Sequence, residues 1–208
     1  MFINSAYILG KSRFFNLDFV VNSSVLVPRY DTETLVREAM NRIKSGDKVL
    51  DLCTGSGVIA VVLAKNSKGI INASDISKEA LTVAQSNAAI HNAKVKFIHS
   101  DMFENIEGKF DIIVSNPPYV MSDEIGIHDP QTLKEPRIAL DGGTDGLDFY
   151  RIIASQAKEY LVDGGILALE IGYSQAEAVK GLLNQEGWSN IELVHDEAGR
   201  DRVIVCKA

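Results

Sequence analysis

The chain has 208 residues, of which 46% are hydrophobic and 24% charged, with a formal net charge of −7. That length can bury one full core, and no apolar run approaches the ~20 residues of a membrane-spanning helix. The acidic balance opposes a broad surface for duplex nucleic acid.

The opening stretch, MFINSAYILGKSRFF, lacks the basic start, continuous apolar run and cleavage site of a secretory signal, so the expected location is the cytoplasm. Cys53 and Cys206 are far apart and neither sits in a CxxC pair, so neither a disulfide nor a metal site is expected. His91, His99, His128 and His195 show no ligand spacing and are read as ordinary.

In chain order, RFFNLDFVVNSSVLVPRY predicts a small β-hairpin turning at Asn22-Ser23-Ser24, and DTETLVREAMNRIKSG a helix with Asp31 as N-cap and Gly46 beyond its end. Residues 1–46 are thus expected to form a cap on a catalytic unit spanning 47–208. KVLDLC, GIINASD, VKFIHSD, FDIIVSN and GILALEIG read as buried strands. Helical stretches alternate with them. GVIAVVLAKN is apolar nearly all round, and SKEALTVAQSNAAIHN brings Ala80, Leu81, Ala84 and Ala88 to one face. DGLDFYRIIASQAKEYL groups Leu147, Phe149, Tyr150, Ile153 and Leu161, and SQAEAVKGLLNQEG opens with Ser174 and Glu177 at capping-box spacing. Alternating strands and helices predict an α/β fold with a mainly parallel sheet covered on both faces. NIELVHDEAGRDRVIVCKA breaks the pattern. It predicts a hairpin around Gly199, which makes the last strand antiparallel.

DLCTGSGVIA follows the first buried strand and opens a helix. Gly55 and Gly57 permit a tight turn and close backbone approach to a ligand. Asp75 ends the next strand, where a carboxylate can accept both hydroxyls of a ribose. The same turn suits a dinucleotide, a methyl donor such as S-adenosylmethionine, or a bare structural role. Asp51, inside the strand, can orient the turn or reach an ammonium group. Asp101 can accept an adenine amine, with Met102 packed on the ring.

The fourth strand ends in Asn116-Pro117-Pro118-Tyr119, at the carboxyl edge where open α/β sheets bind ligands. A planar amide or exocyclic amine is a poor nucleophile. Two acceptors, the Asn116 side-chain oxygen and the Pro117 carbonyl, can orient its two N–H bonds, and Tyr119 can pack on the flat group. Catalysis of this kind rests on positioning and electrostatics and needs no general base.

With these motifs the chain resembles class I S-adenosylmethionine-dependent methyltransferases that act on planar nitrogens. More closely it resembles the HemK-type family, which methylates the glutamine side-chain nitrogen of peptide-chain release factors. The resemblance runs through FFNLDFVVNSSVLVPRYDTETLV, DLCTGSGVIAV, SNPPYV, EPRIALDGGTDGLDFYRIIA, LALEIG and AGRDRV. It implies a Rossmann-like sheet of seven strands. It assigns Asp51, Cys53, Thr54, Gly55, Ser56, Gly57, Asp75, Asp101, Met102 and Asn116 to S-adenosylmethionine, with S-adenosylhomocysteine as product. It assigns Arg29, Glu33 and Asn116 to Tyr119 to the substrate, the Gly-Gly-Gln segment of a class I release factor. The chain departs from the family at Cys53, usually Gly, at Met102, often aromatic, and at Tyr30, where a proline is usual. The family's N-terminal helical docking domain is expected to be absent. A second reading is methyl transfer to an exocyclic amine of a nucleic-acid base, which the acidic balance opposes. Two others are a non-catalytic binding module and a nicotinamide dehydrogenase. Residues 122–145, rich in charge, Pro and Gly, are expected to form a long mobile flap on the substrate side, shaped by Glu135, Arg137 and Gly142-Gly143. Trp188 is expected to be a packing residue.

Overall fold

A computed structural model describes residues 5–127 and 129–208, so His128 lies outside the described residues. Among them the strands form a hairpin, β1 (Lys11–Phe14) with β2 (Leu17–Val20), and a seven-stranded sheet. The sheet contains β3 (Lys48–Leu52), β4 (Ile70–Asp75), β5 (Val95–His99), β6 (Phe110–Ser115), β7 (Leu161–Glu170), β8 (Ser189–His195) and β9 (Asp201–Lys207). Their order is β5-β4-β3-β6-β7-β9-β8, parallel from β5 through β7, with β9 antiparallel to both of its neighbours. This is the fold expected from the alternating pattern and the terminal hairpin.

The period of two along each strand divides the core. Leu50, Leu52, Ile113, Leu167, Leu169 and Ile204 face one side. There they meet Tyr150 and Ile153 of α5 (Asp148–Gln156), Val179 and Leu183 of α6 (Ala176–Gln185), and Trp188. Val49, Ile112, Val114, Ala168, Val203 and Val205 face the other side, against α2 (Thr32–Arg42) and α3 (Val58–Asn66). Strands buried on both faces are near-continuously apolar, which is why these segments stood out in the sequence. Trp188 is a packing residue whose indole N–H donates to the Ala154 carbonyl at 2.8 Å.

Several local expectations change. The hairpin turns at Phe15-Asn16, both left-handed at φ +49° and +61°, and not at Asn22-Ser23-Ser24. Two consecutive positive φ values make the tight turn that matches strand twist. Phe15 accepts that conformation because its N–H donates to Glu33 Oε1 at 2.9 Å and its ring lies under Arg37. Asn22 forms only a local turn, in which its side chain accepts from Ser24 N–H. A short helix, α1 (Ser5–Leu9), precedes the hairpin and went unread in the sequence. Asp31 stands at the N-cap of α2 but makes no capping bond, because its carboxylate pairs with Arg202 at 3.1 Å. The capping box at Ser174 and Glu177 does not form. The helix starts later, after Gln175, whose side chain is drawn to the Tyr119 and Gly146 carbonyls. Residues 122–145 are not structureless where described. They carry 3₁₀ turns at Pro130–Lys134 and Arg137–Ala139 and a bridge between Val120 and Asp141.

α4 (Lys78–Ile90) supplies the link that positions the N-terminal elements. Its buried Asn87 donates to the Val20 and Ser56 carbonyls at 3.0 and 2.9 Å and accepts from Val20 N–H at 2.7 Å. One amide thus joins the hairpin to the glycine turn. Close by, Gly57 has φ +81°, and an added Cβ would lie 2.8 Å from Ala84 Cβ. Gly57→Ala combines a left-handed side chain with overpacking, so it is expected to destabilise the fold by about 2–4 kcal/mol. A lower urea midpoint at unchanged slope would register it.

Candidate active site

β3 and β6 are neighbours, paired Leu52 to Ser115, so the segments that follow them emerge together. The glycine turn leaves β3 with three left-handed residues, Cys53 (φ +62°), Gly55 (φ +54°) and Gly57 (φ +81°). Asp51, fully buried, fastens it by accepting from Thr54 Oγ1 at 2.5 Å and from Ala60 N–H at 3.1 Å. Burial raises the Asp51 carboxyl to about 7 in spite of these bonds. Asp75 sits at the end of β4, where Oδ2 accepts from Gly55 N–H at 2.8 Å and Oδ1 from Ser77 N–H at 2.9 Å. Each oxygen keeps a second acceptor direction.

A cavity of about 830 Å³ opens at this edge of the sheet. It takes in Cys53, Thr54, Gly55, Ser56, Asp75, Asp101, Met102, Asn116, Pro118 and Arg29 from among the residues singled out in the sequence. Asp101 is exposed at the rim. Met102 is buried, with φ +42° and its sulfur 3.8 Å from Cys53 Sγ. Burial pushes the Cys53 thiol up, well away from the thiolate range of a nucleophile. Asp51, Gly57, Pro117 and Tyr119 are not among the cavity's lining residues. Glu33 is not brought to the cavity. It holds Phe15 N–H and pairs with Arg37 at 2.8 Å. Arg29 does line the cavity, and its guanidinium meets buried Glu135 at 2.6 Å, which ties the segment after β6 to the segment between the N-terminal hairpin and α2.

Asn116 is half-buried and faces the cavity. Its Nδ2 donates to Thr32 Oγ1 at 3.2 Å, which leaves the side-chain oxygen without a protein donor among the described residues. Tyr119 Oη donates to Glu170 Oε1 at 3.3 Å. Burial pushes the Tyr119 phenol up, and the charge on Glu170 adds to this. Glu170 is itself buried. Desolvation raises it to about 7, while Thr32, Arg202 and Tyr119 favour its charged form. Gly142 backs the turn, since an added Cβ there would lie 2.7 Å from Tyr119 Cα. Gln175 Nε2 holds the Tyr119 carbonyl at 3.0 Å.

The sequence reading missed Thr32, Ile76, Phe149, Ile152, Glu170 and Gln175. The first four line the cavity, and the last two hold Tyr119. Glu170 carried a signal: a lone acid closing the apolar run GILALEIG. Thr32 and Gln175 carried none beyond helix-start composition.

The buried Asp51 gives a pH test. Its folded pKa is raised, so its contribution to stability is fully present below its ordinary 3.8 and is lost as pH rises toward about 7. Asp51→Asn should flatten the stability profile across that window, read by urea denaturation at several pH values. At Gly142, Gly142→Ala should shift the 116–119 turn and lower the activity proposed below by about tenfold or more, with the fold retained by circular dichroism.

Comparison with known proteins assigns the family. Residues 29–130 match the Methyltransferase small domain model. The chain is 45% identical over 201 residues to the release factor glutamine methyltransferase of Geobacter sulfurreducens, covering 95% of this chain and 71% of that one. It is 44% identical over 207 residues to the enzyme of the same name from Thermodesulfovibrio yellowstonii, covering 96% and 74%. Among solved structures, a release-factor-specific protein-(glutamine-N5) methyltransferase from Alicyclobacillus acidocaldarius aligns with TM-score 0.54 and 31% identity, over 91% of this chain and 98% of that one. A methyltransferase from Pyrococcus furiosus shares the fold, with TM-score 0.72 at 20% identity over 93% and 89%. With its seven-stranded class I fold and these relatives, the chain belongs to the release factor glutamine methyltransferase family.

Proposed function

We propose that this protein transfers a methyl group from S-adenosylmethionine to the side-chain amide nitrogen, N5, of the glutamine in the Gly-Gly-Gln segment of a class I peptide-chain release factor. The observation that carries the reading is the shared cavity. The glycine turn, Asp75, Asp101 and Met102 line the same space as Asn116 and Pro118. A cofactor side and an acceptor side therefore meet in one enclosure of a size usual for small-molecule sites.

The residues present suit S-adenosylmethionine. Gly55 leaves open space where a Cβ would project, with nothing within 4 Å. Asp75 offers two carboxylate oxygens to a vicinal diol. Ile76 and Met102 offer apolar surface to a flat base, and Asp101 an acceptor to its amine. Asp51 acts from behind, by holding the turn. When bound, the cofactor supplies an electrophilic methyl on a sulfonium.

The chain's own residues act on the acceptor. The Asn116 side-chain oxygen, at the cavity, accepts from one N–H bond of the substrate amide, and the backbone carbonyl of Pro117, between the lining residues Asn116 and Pro118, is the second acceptor of this reading. Amide resonance leaves that nitrogen a weak nucleophile, and two fixed acceptors orient it and favour its pyramidal form. The nitrogen becomes acidic as the new bond forms, so its proton can leave to water. This agrees with the absence of a histidine from the cavity walls among the described residues. Arg29 and Arg137, at the same cavity, flank the route for the incoming tripeptide.

Labelled S-adenosylmethionine should mark the Gly-Gly-Gln glutamine of a purified release factor. Asn116→Ala should lower kcat by roughly 10²- to 10³-fold, as does loss of one fixed polar group at a reacting centre. Tandem mass spectrometry of the tryptic peptide locates the label. Transfer to total RNA with none to the release factor would replace this reading with the nucleic-acid one.

A further inference from the structure

Asn116 has an ambiguity that its sequence position does not resolve. A primary amide presents an oxygen on one side and an NH₂ on the other. Only the oxygen can accept from a substrate N–H, and the opposite rotamer would set NH₂ against NH₂. Some group must fix the direction. We propose that Thr32, the first residue of α2, is a positioning residue that locks the Asn116 amide with its oxygen toward the substrate.

Asn116 Nδ2 donates to Thr32 Oγ1 at 3.2 Å, and Thr32 is only 3% exposed, so water does not compete freely for the hydroxyl. The Thr32 hydroxyl oxygen accepts from the Asn116 NH₂, so the amide oxygen points away from Thr32 and has no protein donor among the described residues. That oxygen is left for the substrate.

The start of α2 is itself held. Asp31, one residue before Thr32, pairs with Arg202 of β9 at 3.1 Å, and Arg202 is fixed by Asp196 at 3.3 Å and donates to the Ile171 carbonyl at 3.2 Å. Contacts therefore run from β9 to the start of α2 and on to Asn116.

The role rests on the methyl transfer proposed above, and Thr32→Val tests it. Valine keeps the shape and removes the hydroxyl. Four measurements on the full chain decide: kcat toward the release factor, S-adenosylmethionine affinity by calorimetry, the melting temperature, and the Asn116 side-chain NH₂ resonances by NMR. Thr32→Val should lower kcat roughly 10- to 100-fold while cofactor affinity stays within about twofold. The NH₂ resonances should move, and Thr32→Ser should restore both kcat and resonances. Adding Thr32→Val to Asn116→Ala should cost nothing further. A Thr32→Val protein with wild-type kcat and unmoved resonances would overturn the role. So would loss of cofactor affinity in step with kcat, or Thr32→Ser as impaired as Thr32→Val, since each marks a structural residue. If wild-type protein transfers no methyl to the release factor, the function itself fails, and this role fails with it. Transfer by the wild type with an indifferent Thr32→Val sinks the positioning role alone.

Discussion

The hydrogen bond from Ser115 Oγ to the Leu52 carbonyl, 2.7 Å long, lies where two parallel strands end side by side. Register Leu52↔Ser115 puts Cys53 and Asn116, the first residues beyond the two strands, next to each other in space although 63 positions apart in the chain. A slip of one residue would invert the inward and outward faces of the strand, sending Ile113 into the layer of α2 and α3 and Ile112 into that of α5 and α6. Register is therefore protected by the whole core. The site inherits that precision without needing contacts of its own to create it.

The same edge holds two buried carboxylates, Asp51 and Glu170, both raised to about 7 by desolvation. Neither is there for stability, because an apolar residue of similar size would avoid the cost of burying a carboxylate. What each does is fix a direction. Asp51 accepts from Thr54 and Ala60 and holds a turn with three left-handed residues. Glu170 accepts from the Tyr119 phenol. Local strain and buried carboxylates thus gather on the two turns at the edge of the cavity, while the remainder of the sheet is ordinary aliphatic packing.

How far the residues themselves disclosed this differs by level. The seven strands, their mainly parallel order and the antiparallel end were readable, because double burial and period-two alternation leave a strong apolar signal. The two chemical turns were readable too, because glycines and prolines constrain the backbone where they stand. The hairpin turn was misplaced because Phe15 is a poor candidate for a left-handed position. Its support comes from Glu33, 18 residues away, which also explains why Glu33 is absent from the cavity. Asp31 and Ser174 carried good capping signals that distant partners overrode: Arg202 draws Asp31 away, and Gln175 reaches to Tyr119. Thr32, Asn87 and Gln175 do their work across 84, 67 and 56 positions of sequence, and no local pattern reports such a distance.

The buttressing of the Asn116–Tyr119 turn shows why so many of its supports are non-local. Two prolines remove two N–H donors, so the turn cannot secure itself through its own backbone. The strand ladder has ended, and the remaining carbonyls need outside donors. Gln175 supplies one to Tyr119, Gly142 N–H donates to Val120, and Val120 N–H reaches the Leu140 carbonyl. Gly142 is needed because backbone must pass within contact distance of Tyr119 Cα. The Asn116 side-chain oxygen takes no protein donor among the described residues, so the rigidity of the turn comes from its other contacts: Thr32 at the Asn116 NH₂, Gly142 against Tyr119, Gln175 at the Tyr119 carbonyl and Glu170 at its phenol.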